Sequence, residues 1–207
     1  MKINVLLTIS AFFLSIVLQT ALIAQNVQDK SILIADESYG KEIILLPVEW
    51  APGMTIEGFE ELRFTPGWDK SESPQFWSYV LSWDVMATDP LSQHELETNL
   101  EDYFDGLMKP NHWATEFAEP LVQLMQAAPI NGNAYYTGRM KYFDGFHTGK
   151  VMSTNIQATQ HFCEEKQRTI IIFRISPKPY EHEVWNDLNA IKKRADFCLK
   201  QATRAKG

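Results

Sequence analysis

The chain has 207 residues, 19 of them basic and 26 acidic, and its formal net charge is −7. That length suits one domain with a substantial hydrophobic core. The single basic run, in residues 192–206, lies at the end of a predicted helix, where cations complement the helix dipole. The sequence therefore lacks the basic stripe of a nucleic-acid binder, and we expect no nucleic-acid partner.

The first residues have the three-part layout of a secretory signal peptide. Lys2 supplies a positive charge, residues 5–18 form the apolar run VLLTISAFFLSIVL, and QTALIAQ ends in small and polar residues. Polar residues interrupt the apolar run, so an uncleaved anchor helix is the weaker alternative. We place cleavage after Ala24, which predicts a periplasmic or secreted protein with no stable membrane span.

Cleavage there divides the sequence into three parts. Residues 1–24 are the signal peptide, the polar residues 25–40 form an N-terminal arm, and residues 41–207 form a single domain without internal repeats. The domain begins with KEIILLPVEW, whose Pro47 indicates an edge strand or a bulge. FEELRF follows and alternates Leu62 and Phe64 against Glu61 and Arg63, as a half-buried strand does.

The stretch PGWDKSESPQFWSYVLSW, residues 66–83, holds three of the six tryptophans. These rings are either a stacking platform for sugars or bases, or the core of a sheet. Large side chains recur at every second position: Trp77, Tyr79, Leu81, Trp83 and Val85. Leaving them exposed would forfeit roughly 1.5–3 kcal/mol of burial each, so we predict a core strand. Trp68, in the preceding loop, is the one aromatic residue here that we predict to contact a ligand.

A helix is predicted next, because Ser92 and Glu95 form a capping box. Its acidic residues are interpreted as a solvated surface rather than a metal site: Glu97, Glu101, Asp102 and Asp105. Residues 117–133 fit a strand or a short helix, and we predict a strand. Strands at 134–143, 150–163 and 168–176 form a meander, and the last is apolar enough to be central. A final helix is predicted from Glu183 to Cys198.

This order of elements, βββα-ββββα, predicts an α+β fold. Its antiparallel sheet has six to seven strands, and two main helices pack on it as an α/β/α or a two-layer sandwich.

The two cysteines, Cys163 and Cys198, are predicted to form a disulfide, since their number is even and the chain is expected to be exported. Two free thiols, or a catalytic cysteine beside His161, are the alternatives. Alternation places Cys163 on the polar side of its strand, so pairing would need a twist or bulge at the strand end. The cysteine and histidine spacings match no metal-ligand pattern, and we expect no metal and no cofactor.

The polar side of the meander carries the other predicted binding residues: Arg139, Lys141, Asn155, Gln157 and His161. If they converge, they are the best site for an enzyme, and a buried His161 with a perturbed pKa beneath a lid would favour that interpretation. We favour the alternative, in which these side chains face water on a one-sided sheet.

Three stretches resemble an uncharacterised family of exported bacterial proteins: PGW…FWSYV…W, YYTGRMKYFDGFHTG and FRISPKPYEHEVW. This resemblance implies no known activity and no catalytic residues. The order of elements is similar to that of the Mog1 and PsbP-like α/β/α sandwiches, which act mainly as binding and assembly factors.

Three classes of function stay open. The acidic balance and the lack of a nucleophile constellation favour a non-catalytic binding or assembly module of the cell envelope, with a small molecule or an envelope protein as its partner. The alternatives are a hydrolase-like enzyme that uses the polar side of the meander, and a structural or stress envelope protein without a ligand.

Overall fold

A computed structural model describes residues 31–109 and 118–198, which form nine strands and two α-helices. The elements are β1 Leu33–Ile34, β2 Gly40–Leu46, β3 Gly58–Phe64, β4 Tyr79–Met86, α1 Gln93–Met108, β5 Leu121–Ile130, β6 Asn133–Asp144, β7 Lys150–Cys163, β8 Arg168–Ser176, α2 Val184–Ala190 and β9 Lys192–Lys193. Four parts of these predictions lie outside the described residues: the signal peptide, residues 25–30 of the arm, residue 117 at the start of the uncertain segment, and the end of the basic run.

Seven strands form one antiparallel sheet in the order β2-β3-β4-β8-β7-β6-β5, and β1 pairs with β9 in a separate two-stranded sheet. The predicted α+β fold with two helices and a sheet of six to seven strands is therefore confirmed. So is the strand prediction for the uncertain segment, which forms β5. The apolar run of β8 is central, as predicted, between β4 and β7.

The larger core lies between the sheet and α1. The capping box of this helix is present, with the Glu95 N–H donating to Ser92 Oγ at 3.2 Å and the Ser92 N–H donating to Glu95 Oε2 at 2.7 Å. The buried stripe of α1 packs against the side of β4 that carries Tyr79, Leu81, Trp83 and Val85, each at most 3% exposed. Trp77 precedes β4 in a turn and is also buried. The core interpretation of this stretch is thus confirmed.

A second core covers the opposite face of the sheet, where the sequence predicted polar, wet side chains. Val184, Leu188 and Ile191 pack there against Ile170 and Ile172 of β8. The prediction of a one-sided sheet is wrong at the centre of the molecule, because β4 and β8 are buried on both faces. The architecture here is α/β/α.

Polar side chains beneath this second layer have partners. Asp84 of β4 is 3% exposed and forms an ion pair with Arg168, with 2.5 Å between Oδ1 and Nε. Glu61 of β3, predicted on the outer side of a half-buried strand, is fully buried and lies 2.7 Å from Arg63 Nη2. Glu61 Oε2 also accepts the N–H of Leu33 at 3.0 Å. Part of the predicted N-terminal arm is therefore packed against the sheet.

The final helix is shorter than predicted, since it ends at Ala190. The guanidinium of Arg174 on β8 donates to the carbonyls of Leu188 and Ile191 at 3.0 and 3.1 Å. Those carbonyls would bond to later N–H groups if the helix continued. The chain instead becomes extended, and Lys193 of β9 pairs with Leu33 of β1.

The predicted bond between Cys163 and Cys198 is present, with 1.97 Å between the sulfurs and 5.3 Å between the Cα atoms. Cys163 does lie on the side of β7 that alternation predicts, and no twist or bulge reorients it. Because α2 and the segment after it cover that same face, Cys198 reaches it there. The alternatives of free thiols and of a catalytic cysteine are contradicted by this bond.

Candidate functional site

Three of the predicted binding residues lie together on the exposed side of β6 and β7. Arg139 is directly opposite Asn155, and its Nε donates to Asn155 Oδ1 at 3.3 Å. Lys141 is the next residue along the same side and lies opposite Ser153. Asn155 also donates to the Lys178 carbonyl at 2.9 Å, so its amide group is held on both sides.

The other two polar residues lie further along β7. Gln157 is opposite Thr137 and Arg174, and the latter is committed to carbonyls of the second layer. His161 is four residues beyond Gln157, about 13 Å at roughly 3.3 Å per residue. Burial, helped by the charges of Lys193 and Arg174, lowers the pKa of His161 to about 4. The five residues do not converge on one centre.

Trp68, the remaining predicted residue, lines a cavity of about 290 Å³ on the α1 side of the sheet, near the β2 edge. We call this cavity the aromatic pocket. Its lining residues are Glu42, Ile44, Trp50, Leu62, Phe64, Trp68, Trp77, Tyr79, Tyr103, Leu107 and Phe146.

Separate elements supply the walls of the aromatic pocket. Alternation on β3 directs Leu62 and Phe64 to the same side, and helical spacing puts Tyr103 and Leu107 on one face of α1. The loop before β4 supplies Trp68, which is half-buried. A hydrogen bond of 2.8 Å from the Trp77 N–H to the Trp68 carbonyl closes this loop.

Several pairs of neighbouring rings stand at steep angles to one another, although Phe64 and Trp68 are inclined by only 31°. The Trp68 and Trp77 centroids are 6.1 Å apart with an interplanar angle of 86°, and the Trp50 and Tyr103 centroids are 5.0 Å apart at 70°. Phe64 lies 4.4 Å from Trp68, centroid to centroid. The pocket is thus surrounded by rings that are not stacked in a single layer.

A buried acid lies behind this wall. Glu60 on β3 is fully buried, and its carboxyl accepts the Tyr103 hydroxyl at 2.9 Å and the Trp83 indole N–H at 3.4 Å. Burial raises the pKa of Glu60 to about 7, and the charge of Glu42 adds to the increase. Glu60 therefore keeps its proton to a higher pH than an exposed carboxyl does.

The charged side chain in the lining itself is Glu42, which is exposed at the rim on β2. The described lining contains no lysine, arginine or histidine. His147 contacts Trp68 and Trp77 with ring centroids 5.5 and 5.6 Å apart, but it is not a lining residue. The aromatic pocket is apolar with an acidic rim.

A larger groove, about 800 Å³, runs along the β5 edge of the sheet between α1 and β6. Glu97 and Glu101 of α1 were predicted to face solvent, but both contact this edge of the sheet. Their carboxylates accept the N–H groups of Leu124 at 2.7 Å and Val122 at 2.8 Å. These acidic groups therefore stabilise the sheet edge.

The described residues contain no cluster of three or more side chains that could hold a metal ion. None of the helices among them is both long and apolar enough to cross a membrane.

Comparison with protein-family models, with curated proteins and with solved structures finds no match to the chain. Function is therefore argued from the site. Sequence reasoning identified Trp68 but missed the pocket, because the pocket combines residues from distant segments. The high density of aromatic residues between Phe64 and Trp83 was the one indication of a pocket in the sequence. Within it, Trp68 stood out because it lies in a loop rather than in the alternating strand.

Proposed function

We propose that this protein is an exported, non-catalytic binding protein of the cell envelope, and that it holds a small molecule in the aromatic pocket. One observation carries the proposal: a cavity of about 290 Å³ whose walls are mostly aromatic rings. Small-molecule sites are typically concave and apolar with a few polar groups, and about 300 Å³ is the lower end of their size range. The ligand is therefore small.

The exposure of the rim supports this use. Trp50, Phe64 and Trp68 are only half-buried, and Phe146 is 43% exposed. A ligand that covered these rings would recover burial energy, roughly 25 cal/mol per Å² of apolar surface.

The backbone conformation of Trp77 also supports a ligand site in the aromatic pocket. Trp77 has a φ of 52°, in the left-handed region that a bulky residue rarely adopts. Such residues persist where the surrounding structure holds them, and they cluster at ligand sites. Trp77 lines the aromatic pocket, so the backbone is held in this conformation where the ring forms a wall.

Two features support export. The first 24 residues have the layout of a signal peptide, and a disulfide persists in oxidising compartments. We therefore propose the periplasm or the medium as the location. In a Gram-negative host the mature chain should begin near Gln25 and fractionate with the periplasm or medium. Intact Met1 in the membrane pellet would contradict export.

The binding proposal is tested on the same natively exported protein. Small molecules that co-purify are identified by mass spectrometry, and displacement of an apolar fluorescent dye is followed in parallel. Trp68→Ala should abolish both signals, whereas Phe162→Ala, a half-buried ring outside the pocket lining, should leave them unchanged. Equal loss in both variants, or no binding by the wild type, would overturn the proposal.

A further inference from the structure

We propose that the ligand of the aromatic pocket is a small organic cation, such as a trimethylammonium or another alkylated ammonium group. This inference rests on the proposed function and adds the chemical class of the ligand. The geometry that points to it is the combination of ring walls with an acidic rim and no basic side chain among the described lining residues.

Aromatic rings attract cations through their quadrupole when the cation lies within about 6 Å of a ring centroid. Phe64 and Tyr79 have centroids 5.8 Å apart, and those of Trp77 and Tyr79 are 6.0 Å apart. Spacings of this size let one ammonium group approach several rings at once. Alkylated ammonium ions also fit the apolar surface, because their methyl groups contact the rings while the charge is spread over them.

Two carboxyl groups make the electrostatic potential at the site negative. Glu42 lies in the lining. Burial is the main cause of the raised pKa of Glu60 and of Tyr103, and the charge of Glu42 adds to both increases. The Glu60 carboxyl is bonded to the hydroxyl of Tyr103, a lining residue. An anionic ligand would face both acids without a compensating cation, whereas a cationic ligand would be attracted by both.

The test compares choline with 3,3-dimethylbutan-1-ol, which has the same shape and no charge. Each is titrated into the mature protein by calorimetry and by tryptophan fluorescence. We expect choline to bind about tenfold more tightly or better, since each cation–ring contact contributes roughly 0.5–2 kcal/mol and about 1.4 kcal/mol is tenfold in affinity. Trp68→Ala should weaken both ligands. Phe146→Ala, at a more exposed ring, repeats that test if the first variant does not fold.

Glu42→Gln keeps the size of the rim side chain and removes its charge. We expect it to reduce the preference for choline severalfold and to leave the neutral alcohol unaffected. Glu181→Gln is the matched control, because it removes one exposed carboxylate away from the pocket lining.

The outcomes separate the two proposals. If both ligands bind equally in the wild type, or the alcohol binds more tightly, the pocket binds small molecules but the cation inference is wrong. If neither ligand binds, the cation inference is wrong, while the proposed function stands or falls with the co-purified ligands and the dye. If both variants of the ring walls fold and bind choline like the wild type, choline does not occupy the aromatic pocket and the inference is wrong. A preference for choline that Trp68→Ala and Glu42→Gln both reduce supports the inference.

Discussion

Glu60 is a carboxylic acid in a fully buried position of β3, with the Tyr103 hydroxyl and the Trp83 indole as its donors. Its pKa rises from 4.5 to about 7 on folding, so between these values the folded state keeps a proton that the unfolded state has lost. The folded state is then favoured at low pH, and the free energy of unfolding falls as pH rises through this window. The total loss is about 3 kcal/mol.

His161 should act in the opposite direction. Its pKa falls from 6.5 to about 4 on folding, so between these values the unfolded state holds the extra proton. The contribution of His161 to the free energy of unfolding is complete above pH 6.5 and is lost as pH falls towards 4. The two residues therefore offset each other over most of the acidic range.

Urea unfolding from pH 4 to pH 8 checks this pair. Relative to the wild type, Glu60→Gln should gain stability as pH rises from 4.5 to 7, and His161→Gln should lose it as pH rises from 4 to 6.5. Glu181→Gln, at an exposed carboxylate, should follow the wild-type curve. If both variants also run parallel to the wild type, the assigned pKa directions are wrong.

The alternation of β3 indicated that Glu60 faces the core, since Glu60 lies on the same side of the strand as Leu62 and Phe64. What the sequence did not show was a partner that would let an acid face the core. That partner is Tyr103, which lies 43 residues later in α1. Glu61 was misplaced for a related reason, because the covering segment around Leu33 was predicted to be an arm.

At the scale of elements, β4 tests the core interpretation. Trp83 is fully buried, so Trp83→Ala should lower the free energy of unfolding by about 3–5 kcal/mol, as large-to-small core changes do. Trp68→Ala, at a half-buried ring, should cost far less and mainly affect binding. Thermal and urea unfolding compare the two. Equal losses would mean that Trp68 is a core residue rather than a contact residue.

The edge strand β5 gives a second test at this scale. Its Val122 and Leu124 N–H groups donate to Glu101 and Glu97, a device that satisfies edge groups which would otherwise pair with another chain. Removing both carboxylates by alanine substitution should cost about 1.5 kcal/mol for each bond to a charged group. Hydrogen exchange at these two amides should accelerate, and the double variant should aggregate more readily.

Asp105→Ala is the control for that experiment. It removes an acid of the same helix whose partner is the exposed Lys109, a surface pair that contributes about 0–1 kcal/mol. Exchange at Val122 and Leu124 should not change in this variant. If the double variant behaves in the same way, the two glutamates do not stabilise the edge.

The sequence pattern predicted α1 and the seven strands of the large sheet, but not the two-residue strands β1 and β9. It overextended the last helix, since Val184, Leu188, Ile191 and Cys198 match a helical stripe. Ile191 is buried, and Cys198 packs against the second core, but both lie beyond the helix, Ile191 in extended chain and Cys198 in a turn. A spacing pattern cannot show that Arg174 will bind the carbonyls at the end of α2.

At the scale of the whole molecule, the sequence predicted the order of elements but not the second core. Whether the outer side of a sheet is wet depends on where the later chain returns, and that is set by tertiary packing. The aromatic pocket is a further consequence of this limit. Trp50, Trp68 and Tyr103 come from a loop, a turn and a helix, and only the assembled fold brings them together.

The disulfide can be tested by replacing both cysteines with serine. The bond closes a loop with a sequence separation of 35, so its loss should lower the free energy of unfolding by about 4 kcal/mol in the chain-entropy model. Non-reducing mass spectrometry of the wild type should show a mass lower by two hydrogens and a linked peptide pair. A stability unchanged by the double substitution would show that the bond does not hold the fold.

The same bond determines how tension would pass through the molecule. A pull on the C-terminal residues reaches Cys198 and crosses directly to Cys163 on β7, so the backbone of β8 and α2 lies outside the covalent path of the load. In a single-molecule stretching experiment these elements would stay hidden inside a covalent ring. Reduction should then lengthen the fully extended chain by about 120 Å, given roughly 3.3–3.6 Å per residue over the separation of 35.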